Sequence, residues 1–314
     1  MLARRFAFLP LTKKPLFAGI FLLALTFVGL GPVDLKASED SILNEQGLLW
    51  RVEKEGLPIG HLFGTIHITD DRVRQLAEPV QDAFDQADVA VFEVLLDEAS
   101  QIRVAQTMMM HDGRTLDQIM DPDDYNKAVI AASELGVPEQ AVRLFKPWAL
   151  MSLLIFPKEE FLRKAQGHLP LDQDLTERAK TAGKEVVALE TVDEQLGLFD
   201  SMLQGDQVAM LSSVVNDLDA AQALYSSMVD AYLAGNVGGI YQQTLERSAQ
   251  SDPRLTREFE EKIVIDRNHR MAQRLEPLLA TGKVFAAVGA AHLPGEEGLV
   301  ELLKNRGYTV TKVQ

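Results

Sequence analysis

The chain has 314 residues, 46% of them apolar and 25% charged, and a formal net charge of −15. This length and composition support a sizeable buried core and exclude a disordered chain, and the acidic balance excludes nucleic acid as a partner, which needs concentrated positive charge. Cysteine is absent, which excludes disulfides, thiol nucleophiles, thiolate-held metals and lipid attachment through sulfur; any metal must be held by His, carboxylate or amide groups.

Residues 1–37 read as an export segment. Arg4, Arg5, Lys13 and Lys14 precede an uncharged apolar run from Leu16 to Gly31, Pro32 breaks it, and Ala37 stands before the polar Ser38-Glu39-Asp40. The segment is either a cleaved signal peptide or an uncleaved N-terminal anchor, and the run is short for a full span. Both versions put residues 38–314 outside the cytoplasm, periplasmic or extracellular, with a membrane contact only in the second. Without residues 1–37, which carry five Lys/Arg and one Asp, the net charge falls from −15 to about −19.

Residues 47–53 alternate loosely, as a half-buried strand does, Glu55-Gly56-Leu57-Pro58 makes a turn, and residues 59–68 return as a second strand. Asp70 or Asp71 caps a helix over about 72–86, with Val73, Leu76, Val80 and Phe84 at helical spacing. Residues 88–94 form a buried strand carrying one carboxylate, Glu93, and complete a βαβ unit. A helical stretch follows over 97–160, in which Met108-Met109-Met110 reads as packing. Leu171-Asp172-Gln173-Asp174 opens another helix that Gly183 closes. A short strand over 185–189 ends in Glu190-Thr191, and a second helical block fills about 193–280, broken near Gly235-Asn236 and at Ser251-Asp252-Pro253. Strand 284–288, helix 298–305 and strand 308–313 complete the chain.

The fold class this predicts is α/β, within one domain over 38–314. A central mixed sheet is built from both chain ends, with helical insertions at about 97–182 and 193–280. The two ends share a strand–GxxH–helix–strand plan, which suggests a pseudo-duplicated core.

That shared plan carries the chemistry. Gly64-Thr65-Ile66-His67 and Gly289-Ala290-Ala291-His292 each follow an apolar run, which reads as a buried strand meeting a tight turn. A histidine just past such a strand end stands where open α/β sheets place ligands. The two are 225 positions apart and meet only if their strands are neighbours. A buried Glu93 is costly unless it is paired or ligates a metal. His, His and Glu are donors for a divalent ion such as Zn, Mn or Co, which would lower the pKa of a bound water toward about 7. Each histidine taken alone reads equally as a hydrogen-bonded structural group. The chain has no HExxH, G-x-S-x-G, GxGxxG or phosphate-loop pattern.

Five passages resemble the TraB/GumN family, which is related to the Tiki metalloproteases that clip the amino terminus of Wnt signalling proteins. They are LFGTIHITD at 62–70, VAVFEV at 89–94, GKEVVALETVDEQL at 183–196, DRNHRMA at 266–272 and VGAAHLPGEEGL at 288–299. The resemblance implies His67 and His292 as metal-site residues and Glu93 as ligand or general base. It adds Arg267 and Asn268 as polar site residues that bind substrate or stabilise an oxyanion. Glu190 is either a further site carboxylate or the cap of the next helix. His61 shares a strand face with His67, His269 adjoins the Arg-Asn pair, and His111 and His168 read as structural or surface groups.

The expected function is an exported metal-dependent hydrolase, a peptidase acting on a peptide or small secreted substrate through activated water. Its metal would be Mn, Co or Zn. A non-catalytic peptide binder or envelope-associated protein using the same pocket is the competing class. The sequence sets no oligomeric state.

Overall fold

The computed structural model describes residues 42–249, 257–258 and 260–314, with side chains outside 246–249. The export segment 1–37 and the expected helix break at Ser251-Asp252-Pro253 lie outside the described residues. No described helix is long and apolar enough to cross a membrane.

Six strands make one mixed sheet: β1 Leu49–Glu53, β2 Gly60–Thr65, β3 Val89–Phe92, β4 Glu185–Ala188, β5 Val284–Gly289 and β6 Thr309–Lys312. Their order is β4-β3-β5-β2-β1-β6. The first four run parallel, and β1 is antiparallel to both β2 and β6. The sheet is therefore assembled from both chain ends, with helices inserted on either side of β4, as the element order predicts.

The interior strands β3 and β5 are buried at every position, which explains their unbroken apolar sequences, VAVF and VFAAVG. Helices cover both faces. On one, Phe63 and Phe285 pack with Phe84 of helix Glu78–Gln86, at ring-centroid distances of 5.6 and 5.3 Å to Phe285. Such aromatic pairs add about 0.5–1.5 kcal/mol each beyond their buried area. Arg178, on helix Leu171–Thr181, also lies over the Phe84 ring. Gly60 points to the opposite face, where a methyl group on it would stand 2.5 Å from Leu279 of helix Asp266–Leu279.

Two expectations need correction. The single helix over 72–86 is two, Asp71–Arg74 and Glu78–Gln86, because Pro79 sits at the start of the second, where its missing N–H costs nothing. The short strand before Glu190 is present as expected, at the sheet edge and half or fully exposed at every position. Gly64 makes no turn: β2 continues to Thr65. A methyl on Gly64 would stand 2.8 Å from Leu293 Cδ1 and 3.2 Å from the Ala290 Cα and Cβ, so this glycine lets β2 pack directly on the segment after β5.

Register then sets the site. Thr65 is opposite Gly289 and Phe92 is opposite Ala287, so β2, β3 and β5 reach their carboxyl ends together. Beyond β4, Leu189 N–H donates to Phe92 O at 2.8 Å and Glu190 N–H to Glu93 O at 2.7 Å. Four parallel strands thus deliver His67, Glu93, Glu190 and Gly289 to one end of the sheet, where α/β proteins hold their ligands.

Candidate functional site

Gly289 is the floor of the site. A methyl group on it would stand 3.0 Å from Glu93 Oε1, 3.4 Å from His292 Cδ2 and 4.0 Å from His67 Nε2. The three residues singled out by the sequence therefore surround one small space, which a side chain at 289 would fill. The backbone there has φ −54°, so close approach requires the glycine, not torsional freedom.

Glu93 is buried and fully engaged. Oε1 accepts the Gly289 N–H, and Oε2 accepts Arg267 Nη2 at 2.6 Å and Gln195 Nε2 at 3.2 Å. Burial alone would raise its pKa, but the Arg267 charge, then His292 and His67, and the Gly289 N–H together hold it at about 2. It is an anion at any ordinary pH.

Arg267 is 1% exposed, and a guanidinium so buried must be paired. Its Nη2 also bonds Glu190 Oε2 at 2.7 Å, its Nε donates to Glu190 at 3.0 Å, and its Nη1 reaches Ile263 O at 3.4 Å. Glu190 has a second cation, Arg270, at 2.7 Å. Arg267 thus clamps two carboxylates, one from the end of β3 and one from beyond β4, and its guanidinium is occupied by protein partners. It follows a π-helical turn, Glu260–Ile265, a local rewinding common at functional sites.

Each histidine has a partner on its Nδ1 side. Asn268 is 1% exposed; its Nδ2 donates to Glu297 O at 2.8 Å, so its Oδ1 must be the acceptor facing His292 Nδ1 at 2.6 Å. His292 therefore carries its proton on Nδ1. Burial and then the Arg267 charge lower its pKa to about 4, so the ring is neutral and Nε2 has a free lone pair.

His67 Nδ1 lies 3.0 Å from Asp172 Oδ1, yet neither atom makes a well-aimed hydrogen bond, so the pair is held by charge more than by alignment. Burial disfavours its cation, but Asp172 and then Glu93 outweigh burial and raise the pKa to about 9. The two histidines that flank Gly289 thus differ in charge at neutral pH, His292 neutral and His67 cationic.

A second buried network braces Asp172 and His67. Glu160 accepts Thr69 N at 2.9 Å and Thr69 Oγ1 at 2.6 Å, with Arg163 and Tyr225 on its other oxygen, and Leu171 N donates to Ile68 O at 3.2 Å. One turn after Glu160, Lys164 has its Nζ buried with no hydrogen-bond partner among the described residues. Burial lowers its pKa to about 7, against the charges of Asp172 and Glu160.

The other histidines lie apart. His61 lines a separate pocket with Arg51 and Lys283, near the start of β2. His269 is half exposed and pairs with Glu297 at 2.7 Å, His111 bonds Gln106 O at 2.9 Å, and His168 faces Asp71 at 3.3 Å.

Among the described residues, no three His, Asp or Glu side chains are already arranged to hold a metal ion. As donors, the residues fit one: His292 fixed through Nδ1 by an amide, His67 with a carboxylate beside its Nδ1, partners typical of metal-binding histidines, and an ionised Glu93 beside them. What is absent is a closed cage.

The chain matches the TraB/PrgY/gumN family over residues 48–312. It is 24% identical over 346 residues to Metalloprotease TIKI1 of Xenopus tropicalis, an alignment covering 93% of this chain and 68% of that protein. It is 22% identical to Metalloprotease TIKI1 of Danio rerio, covering 83% and 62%, and 23% identical to the Metalloprotease TIKI homolog of Nematostella vectensis, covering 86% and 68%. It therefore spans about two thirds of the length of these relatives. No solved structure matches the chain. With the two GxxH histidines, Glu93 and the Arg267-Asn268 step gathered at one sheet end within the matched residues, the chain belongs to the TraB/PrgY/gumN family.

Proposed function

We propose that this protein is a metal-dependent hydrolase acting on peptides outside the cytoplasm, with His67, His292 and Glu93 holding a divalent ion, Mn, Co or Zn. The observation that carries the reading is the ring of His67 Nε2, His292 Cδ2 and Glu93 Oε1 within 4.0 Å of one point above Gly289. The names of the relatives support the metal and the peptide bond as target. The basic and apolar pattern of residues 1–37 supports export.

When bound, such an ion supplies Lewis acidity and an activated water. The chain's own residues do the rest. Asn268 locks His292 as the Nδ1–H tautomer, which leaves Nε2 to donate its lone pair. Asp172 attracts the Nδ1 side of His67, so Nε2 is the nitrogen that gives up its proton on ligation. Arg267 and Gly289 N–H hold Glu93 ionised. A carboxylate with a pKa of about 2 is a weak base, which favours Glu93 as a ligand over Glu93 as general base. Arg267, with its guanidinium committed to Glu93 and Glu190, organises the site and does not bind the oxyanion.

The test is incubation of the purified protein with a peptide library, with chelator and after readdition of Mn, Co or Zn. Metal-restored cleavage that His67→Ala and His292→Ala abolish supports the enzyme. Tight peptide binding without turnover under every metal condition contradicts it and supports the binder.

A further inference from the structure

Glu93 and Glu190 are bridged twice. Arg267 Nη2 donates to the Oε2 of each, at 2.6 and 2.7 Å. So does a neutral donor, Gln195 Nε2, at 3.2 and 3.1 Å. Gln195 stands five residues after Glu190, on helix Val192–Asp200, and is 0% exposed.

The amide faces these oxygens only one way round. Gln195 Oε1 is buried and has no hydrogen-bond partner among the described residues. Turning the amide over would set that acceptor against two carboxylates and leave each Oε2 one donor short. A buried carbonyl without a donor is itself unfavourable. A side chain that only packed the helix would be better apolar, as Val192, Leu196 and Phe199 of the same helix are. The two carboxylates account for an amide at 195, and helix packing does not.

The helix is anchored independently of that amide. Thr191 and Glu194 form a capping box at its start, and Arg274 donates to Leu189 O at 2.6 Å and to Glu194 at 2.9 and 2.6 Å. Glu190 is held by Arg270 as well, at 2.7 Å. Gln195 therefore reaches Glu93 from a fixed base. The last torsion of a glutamate is intrinsically loose, so its oxygens point where their donors hold them. Glu93 Oε1 accepts the Gly289 N–H and would stand 3.0 Å from a methyl group on Gly289, in the space shared with His67 and His292.

We propose that Gln195 is a positioning residue: its amide ties Glu93 to Glu190 and so keeps Glu93 Oε1 turned to the space above Gly289, ready to ligate a divalent ion. This deepens the metal-dependent reading above and rests on it.

Gln195→Met keeps the length of the side chain and removes the donor. Calorimetric titration with Mn, Co or Zn should give an affinity at least about tenfold weaker than wild type, the usual loss when an outer partner of a ligand is removed. Leu196→Ala is the control: it loosens the same helix but keeps the amide, and its affinity should match wild type. Equal affinities in wild type and Gln195→Met, or an equal loss in both variants, overturn the proposal. Gln195→Asn, whose amide falls one methylene short, should show the same loss and takes the place of the Met variant if that one does not fold.

The Gly289 amide proton, followed by NMR in chelator and identified by its disappearance in Gly289→Ala, reads the orientation of Oε1 without any ion. If wild type binds no ion under any condition, the hydrolase reading fails and this signal still decides the role of Gln195. An upfield shift in Gln195→Met but not in Leu196→Ala sustains the positioning of Glu93. A Gly289 signal unchanged in Gln195→Met overturns it.

Discussion

Asn268 Oδ1 accepts the hydrogen bond of His292 Nδ1–H across 2.6 Å, and its own amide is pinned the right way round by Glu297 O. Remove that amide and His292 loses both its tautomer and its orientation. Asn268→Leu should therefore weaken metal binding or kcat/KM by about 10–100-fold, as loss of an outer partner of a metal-binding histidine does. It should also cost about 1–3 kcal/mol of stability, because the buried Nδ1 of His292 loses its hydrogen-bond partner whichever tautomer it adopts. Histidine NMR reads the tautomer; a His292 ring still held as Nδ1–H in the variant would contradict the assignment.

The two motif glycines should fail differently. Gly289→Ala puts a methyl into the space shared by His67, His292 and Glu93, with backbone torsions that alanine accepts. Gly64→Ala drives a methyl into Leu293 and the Ala290 backbone, an overpacking that costs about 1–3 kcal/mol. Urea melts and metal binding should thus separate them. Gly289→Ala loses binding more than stability, and Gly64→Ala loses stability first.

Arg267 compensates two carboxylates, so removing it leaves both uncompensated. Arg267→Met should destabilise the fold by about 3–5 kcal/mol, the cost of breaking a buried pair. Glu93→Gln should cost less, because Glu190 still neutralises Arg267, and in the Arg267→Met background it should recover part of the loss. Glu93 is held near 2 against an ordinary 4.5. Its stabilising contribution is full above the ordinary value and is lost as pH falls from about 4.5 to 2. Equal melts for the two single variants would contradict this division.

On the alkaline side, two groups oppose each other in the metal-free protein. His67 is raised from 6.5 to about 9, so its contribution is full below pH 6.5 and is lost as pH rises through 9. Lys164 is lowered from 10.5 to about 7 by burial, so its penalty is full below pH 7 and is relieved toward 10.5. Lys164→Met should be more stable than wild type at pH 7, by about 1–3 kcal/mol for an unpaired buried cation. It should also lose stability more steeply between pH 7 and 9. Denaturant melts across that range in chelator check both; a slope unchanged from wild type would contradict the burial of an unpaired Lys164, and a variant whose stability does not fall between pH 7 and 9 would contradict the pairing of His67 with Asp172.

Much of this was legible in the chain. Gly289, His292, His67 and Glu93 sit in apolar runs, and an apolar run ending in a polar residue marks the carboxyl end of a buried strand. The strand order that joins them was not legible, because β2 and β5 pair across 225 positions through register alone. Asp172 was missed for a local reason: in Leu171-Asp172-Gln173-Asp174 it looks like any acidic residue in a helix's first turn. The Leu171–Ile68 hydrogen bond, formed across about a hundred positions, brings that helix start against the segment after β2. Glu190 stayed open between cap and site because nothing local distinguishes them; the structure gives the capping to Thr191 and turns Glu190 toward Arg267. Gly64 read as a turn because glycine serves close packing and tight turns alike, and a sequence does not show its neighbours.

The hydrolase reading stands or falls on whether His67, His292 and Glu93 hold an ion. Elemental analysis after loading with Mn, Co or Zn and removal of free metal should find about one ion per chain, the stoichiometry of one His and carboxylate site. The His67→Ala/His292→Ala protein, melting like wild type in chelator, should bind none there. Wild-type protein that remains metal-free after loading, or a double variant that retains the same ion, would contradict it.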